Sequence, residues 1–265
     1  MHRSGLSIIG SKKYDLDDKL LNLSFHYNEH TDSNIYSLGP VERATVMSLA
    51  NYDDVSCDIL GIFKTNAMNI SPSEAALFPW VCRANHSCDP NCNYYHNADS
   101  GRQELYCTRV IRPGEEVTVS YLPDTVIGAR DTRRRHLMES HRFLCECAVC
   151  SMTGAELEEE ERLRDQCVMR IRELNKMAET LPLSIGDCPL KRKYKHGCLA
   201  LLNQLEGMAV PLPTVYNVKV CMFSIYIMLG DSINGVIWAQ ELIRLNRGTW
   251  LALLVISVIF LEFPT

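Results

Sequence analysis

The chain lacks a basic excess: 27 Lys and Arg stand against 32 Asp and Glu, a formal net charge of -5. That balance argues against a general binder of nucleic acid or anionic membrane, which displays the opposite sign. No apolar h-region follows Met1-His2-Arg3-Ser4-Gly5, so nothing marks the chain for secretion. The expected location is the cytoplasm, the nucleus or both. No apolar run reaches the roughly 18 to 20 residues that a membrane helix needs. The nearest, residues 250–261, reads as a buried helix or strand, with a tail anchor or a replaced C-terminus as the alternatives. A membrane partner is therefore not expected. Gly-x-Gly occurs nowhere, and no cysteine precedes Cys57.

What is present is an ordinary globular composition, 46% hydrophobic over 265 residues, enough for one large domain or two modest ones. The 12 cysteines are clustered. Without an oxidising compartment, clustering points to metal rather than to disulfides.

The pattern along the chain predicts an α+β organisation. Residues 17–25 and 41–50 read as short helices around a Gly39-Pro40 break, and residues 59–70 as strand. Residues 94–110 supply a hairpin about Asn-Ala-Asp-Ser-Gly at 97–101. The turn at Arg112-Pro113-Gly114 leads into an alternating strand at 117–121. Beyond Pro123 the chain turns helical, at 126–142, 155–180, 190–208 and 214–229. Arg130 and Arg133-Arg134-Arg135 read as a solvated helix face, and the acidic residues 156–161 as the first turns of a helix.

Three segments carry chemistry. Cys145-Glu-Cys147-Ala-Val-Cys150 places three thiols in six residues. A helix or strand would spread them over different faces, whereas a tight turn can aim them at one tetrahedral zinc. The fourth ligand is then open among Cys88, Cys92, His86, His141 and another cysteine. Residues 85–91, Asn-His-Ser-Cys-Asp-Pro-Asn, are dense in turn formers and on their own read as a polar loop. Residues 114–121, Gly-Glu-Glu-Val-Thr-Val-Ser-Tyr, on their own read as a strand with a half-buried tyrosine.

In this order, Asn-His-Ser-Cys-x-Pro-Asn, Gly-Glu-Glu-x4-Tyr and Cys-x-Cys-x2-Cys resemble the SET domain with its post-SET zinc site. Asn66 and the helical tail look most like the SET and MYND-domain (SMYD-like) branch. The resemblance covers residues 59–151 with specific motifs. It implies a β-rich SET fold with a pseudoknot, a post-SET zinc site and an α-helical C-terminal region. The implied divisions are 1–58 (an N-terminal remnant with a helical insert), 59–124 (the SET core), 125–151 (the post-SET segment) and 152–265.

The resemblance also implies roles. Asn85, His86 and Asn66 contact S-adenosylmethionine, and Phe143 packs on its adenine. Tyr121 stands beside the transferred methyl as the catalytic residue, and Cys88 joins Cys145, Cys147 and Cys150 on a structural zinc. The implied partner is a protein bearing a target lysine, such as a histone tail, met by a monomer without sequence-specific nucleic-acid contact. The family usually carries a Gly-x-Gly strand pair and a cysteine-rich MYND finger ahead of these motifs. Their lack leads to the expectation that the chain starts inside the domain. The rival expectation is a zinc-containing interaction module without turnover. At His141 the family often has a phenol; here the residue reads as a helix end favourable to the dipole.

Overall fold

A computed structural model describes residues 18–19, 39–52, 58–71, 74–97, 100–123, 126–210 and 212–245. The chain divides into two compact units, Met1–Tyr121 with Leu137–Leu144, and Leu122–His136 with Cys145–Thr265.

In the first unit, helix α1 (Pro40–Met47) starts where Pro40 fixes φ and the Gly39 amide donates to Glu42 Oε2 at 2.9 Å. Its Val46, with Leu49, is buried against Ile62 of α2 (Asp58–Asn66), Leu77 and Cys82. Helix α2 corrects the strand reading of residues 59–70. Ile59, Ile62 and Phe63 recur at helical spacing, and that period outweighs their strand-favouring side chains. Only β2 (Met68–Ser71) is extended, and it pairs antiparallel with β3 (Glu74–Ala76).

The expected hairpin is present as β5 (Cys92–Asn97) and β6 (Arg102–Cys107), in register from Cys92↔Cys107 to Asn97↔Arg102. Between them Gly101 takes φ 65°, a left-handed turn position that favours glycine. Strand β1 (Asp18–Lys19) pairs with β6, so the helical expectation for 17–25 fails at these two residues. The hairpin offers β6 as an edge, and pairing there satisfies the backbone of Asp18 and Lys19. The rest of that segment lies outside the described residues.

The strand expected at 117–121 shortens to β7 (Thr118–Val119), reached through a turn in which Gly114 has φ 82°. It pairs parallel with β4 (Asn85–His86), as Asn85↔Thr118 and His86↔Val119. Ala84, Cys92, Val117 and Val119 form the small core beneath this pair. Among its described residues, the N-terminal half is thus a mixture of short strands and helices.

Helix α3 (Arg130–His141) is followed by α4 (Ala148–Ser151) and α5 (Gly154–Ala178). Glu156 lies in the first turn of α5, as expected from the dipole. Next come α6 (Pro189–Glu206), α7 (Leu212–Leu229) and α8 (Ser232–Leu245). In the second unit Cys167 and Leu174 of α5, Tyr194, Cys198, Leu201 and Leu205 of α6, and Met222 and Ile225 of α7 share one core. Phe223 of α7 meets Ala239 and Leu242 of α8. Cysteine and methionine act here as core residues, as the sequence predicts, although Met169 is exposed.

Two buried cations pin the helices to the loops. Arg164 donates to the carbonyls of Ile127 (3.0 Å) and Ala209 (2.6 Å) and pairs with Glu160. Lys191 Nζ donates to the carbonyls of Ser184, Gly186 and Met228. No helix among the described residues is long and apolar enough to cross a membrane. The apolar run at 250–261 lies outside the described residues.

Candidate active site and zinc-binding cluster

The site in the first unit is built on the β4–β7 pair. A parallel pair only two residues long is weak by itself, and side chains hold it. Asn91, 1% exposed, is the central one. Its Oδ1 accepts from the Thr118 amide at 2.9 Å, and its Nδ2 donates to the Glu116 carbonyl at 2.8 Å and to Glu115 Oε1 at 3.2 Å. The Asn85 amide donates to Glu116 Oε1 at 2.5 Å. Sequence reading assigns Asn85 a role and passes over Asn91. The density of asparagine in residues 85–91 was the available signal, but its partners lie more than twenty residues away.

Glu115 is held well down, to about 2, first by the Arg112 backbone N–H, then by the Arg109 guanidinium and the Asn91 amide. A carboxylate depressed in the folded state contributes stability that is full above its unfolded pKa and is lost as pH falls through the folded value. Acidification from about pH 4.5 towards 2 should therefore loosen this corner, whereas raising the pH should not. Urea midpoints across that range check this: Glu115→Gln should flatten the acid-side decline, and an unchanged decline would contradict it.

His86 follows Asn85 on β4. The Tyr121 amide donates to His86 Nδ1 at 3.0 Å. An amide can only donate, so the neutral ring carries its proton on Nε2, which stands 3.4 Å from Cys88 Sγ. The Tyr121 hydroxyl donates to the Ala84 carbonyl at 2.6 Å. Three half-buried rings meet the half-buried Tyr121, whose centroid lies 5.5 Å from His86, 5.0 Å from His141 and 6.2 Å, edge-on, from Phe143. His141 is the last residue of α3, as the dipole argument expects, and its ring also packs against Tyr121 at a 45° tilt.

The structure thus brings His86, Tyr121 and Phe143 together, with Asn85 adjacent in sequence to His86. Asn66 sits at the end of α2, 5% exposed, with its amide nitrogen committed to the carbonyls of Ala50 (2.6 Å) and Ile62 (2.7 Å).

The thiol sulfurs of Cys88, Cys145, Cys147 and Cys150 lie within 4.8 Å of one another. A zinc tetrahedron with Zn–S bonds of about 2.3 Å has edges of about 3.8 Å, so this donor set fits zinc and can hold one ion. The turn carrying three of them is fastened from α3. Arg134 donates to the carbonyls of Cys145 (3.0 Å) and Cys150 (3.1 Å). Arg133, 1% exposed, donates to the Gly128 carbonyl at 2.5 Å and to Cys150 Sγ at 3.7 Å. These contacts correct the reading of Arg133 and Arg134 as a solvated face; of the three only Arg135 is exposed. Carbonyl and thiol acceptors leave no mark in a charge pattern.

Residues 5–122 match the SET domain family. "Histone-lysine N-methyltransferase set5" of Schizosaccharomyces pombe is 28% identical over 123 residues, covering 46% of this chain and 36% of that protein. A "SET and MYND domain-containing protein" of Dictyostelium discoideum is 33% identical over 105 residues, 40% of this chain and 30% of the relative. "N-lysine methyltransferase SMYD2" of Gallus gallus is 34% identical over 101 residues, 38% and 20% respectively. The chain thus aligns with about a third or less of the length of these relatives.

Proposed function

We propose that this chain, whose residues 5–122 match the SET domain family, transfers methyl groups from S-adenosylmethionine to lysine side chains of histone or non-histone proteins. The observation that carries the proposal is the ring box of His86, Tyr121, His141 and Phe143, with the Tyr121 hydroxyl held on the Ala84 carbonyl. Aromatic faces favour a cation with an apolar jacket, which describes both a sulfonium and a methylated ammonium. The relatives' names support the reaction class.

When bound, S-adenosylmethionine supplies a methyl group already activated by sulfonium charge. The protein's task is then mainly alignment. The backbone of Asn85 and His86 and the face of Phe143 hold the cofactor. Asn66 contributes through its side-chain oxygen, since its amide nitrogen is already engaged. The substrate lysine must lose a proton, which from a pKa of about 10.4 costs roughly 4 to 5 kcal/mol at pH 7. A second positive charge beside a bound sulfonium is disfavoured, which lowers that cost. The Tyr121 hydroxyl is fixed by donating to the Ala84 carbonyl, and from that position it orients the amine.

In the same reading, the β4–β7 crossing belongs to the SET pseudoknot. Cys88, Cys145, Cys147 and Cys150 hold a structural zinc with no open position, residues 59–124 form the core and 125–151 the post-SET segment. The protein acts as a monomer on a protein tail, without sequence-specific nucleic-acid contact.

The test is transfer of labelled methyl from S-adenosylmethionine to a mixed protein substrate. Tyr121→Phe should lower the rate about a hundredfold, the scale of a small misplacement of the reacting groups. Cofactor binding without any transfer, and no effect of Tyr121→Phe, would instead identify a zinc-containing interaction module.

A further inference from the structure

Cys92 and Cys107 stand outside the ring box and the zinc cluster, and no step above uses them. They face each other across the open end of the β5–β6 hairpin, Cys92 buried and Cys107 exposed, with sulfurs 3.9 Å apart. Pairing fixes their geometry further. The Thr108 amide donates to the Asn91 carbonyl at 2.9 Å, so residues 91 and 108 form a hydrogen-bonded pair. Bonded and non-bonded pairs alternate along an antiparallel ladder, which makes Cys92↔Cys107 a non-bonded pair. Such pairs bring Cα atoms to about 4.5 Å, inside the range of about 4.4 to 6.8 Å that a disulfide spans. The two thiols therefore need small side-chain rotations, and no backbone rearrangement, to bond.

We propose that Cys92 and Cys107 are a reversible thiol–disulfide site, closed by a hydroperoxide and opened by a dithiol. The exposed Cys107 meets the oxidant first. Its thiolate attacks the peroxide, the O–O bond breaks, and Cys107 becomes a sulfenic acid as the alcohol, or water, leaves. Cys92 sulfur then displaces the sulfenic hydroxyl, which departs as water with the Cys92 proton. Two thiols are oxidised by two electrons and one hydroperoxide is reduced. Burial, followed by the neighbouring Cys107, pushes the Cys92 thiol up to about 12, which leaves the first reaction with the oxidant to the exposed Cys107.

The bond forms next to Asn91, whose side chain holds β7. A consequence for methyl transfer rests on the function proposed above, but the bond itself does not. The experiment is therefore chemical. Reduced, zinc-loaded full-length chain is treated briefly with hydrogen peroxide, alkylated with N-ethylmaleimide in denaturant, and mapped without reduction. The expected result is a peptide pair joined through Cys92 and Cys107, absent after dithiothreitol and absent in Cys107→Ser. Cys92→Ser should leave Cys107 trapped by dimedone as a sulfenic acid. Full alkylation of both residues would overturn the proposal, as would oxidation confined to Cys88, Cys145, Cys147 and Cys150. A Cys107 sulfenic acid that persists in the unaltered chain would do the same.

Discussion

Cys150→Ser should abolish zinc retention, taking the metal content from one ion per chain to none, and should collapse the turn at residues 145–150. Cys150 is fully buried, and its sulfur lies among three others within 4.8 Å. Structural zinc contributes about 10 to 16 kcal/mol of apparent binding free energy in small domains at neutral pH. Even a fraction of that is comparable to a whole domain's stability of about 5 to 15 kcal/mol. Arg133 makes a second, sharper case. Four thiolates on one zinc leave negative charge in excess, and Arg133 is the buried cation that donates to Cys150 Sγ. Arg133→Met removes that charge and the bond to the Gly128 carbonyl, so it should speed zinc release to a chelator at least tenfold. Zinc release followed with a colorimetric chelator checks both. A metal-free preparation that folds normally would refute the site.

Asn91→Ala should destabilise the first unit by about 3 kcal/mol, because each buried polar group left without its partner costs about 1 to 3 kcal/mol. The substitution strips the Thr118 amide and the Glu116 carbonyl together, in a position 1% exposed. Asn91→Asp separates geometry from bulk. It keeps the acceptor for Thr118 but loses the donor to Glu116 and sets a second carboxylate beside Glu115. It should be at least as damaging near neutral pH and milder in acid. Urea unfolding of the zinc-loaded chain reads both variants. A loss below 1 kcal/mol for Asn91→Ala would mean that β7 is held by something else.

Legibility in the sequence followed the range of the interactions. The β5–β6 hairpin was readable because alternation and a turn-forming stretch lie within sixteen residues. The helices of the second unit were readable because their period is local, though α8 was not singled out. Residues 59–66 misled because Ile59, Ile62 and Phe63 favour strands as side chains while being spaced for a helix. The parallel pairing of Asn85 with Thr118 joins residues thirty-three apart and shows in no local pattern. The same holds for Arg133, whose acceptors are a carbonyl and a sulfur rather than carboxylates. At the candidate site, residue types were legible and their partners were not. His86 and Tyr121 could be singled out from the motifs, but the amide-to-ring bond between them could not.

The proposed function places S-adenosylmethionine at the box formed by His86, Tyr121, His141 and Phe143 beside Asn85. Calorimetric titration of the zinc-loaded chain with S-adenosylmethionine decides whether it binds there. Saturable one-to-one binding is expected, weakened at least tenfold by Phe143→Ala while the zinc content stays unchanged. Absence of binding heat at any temperature by a chain that is folded and zinc-loaded would contradict it.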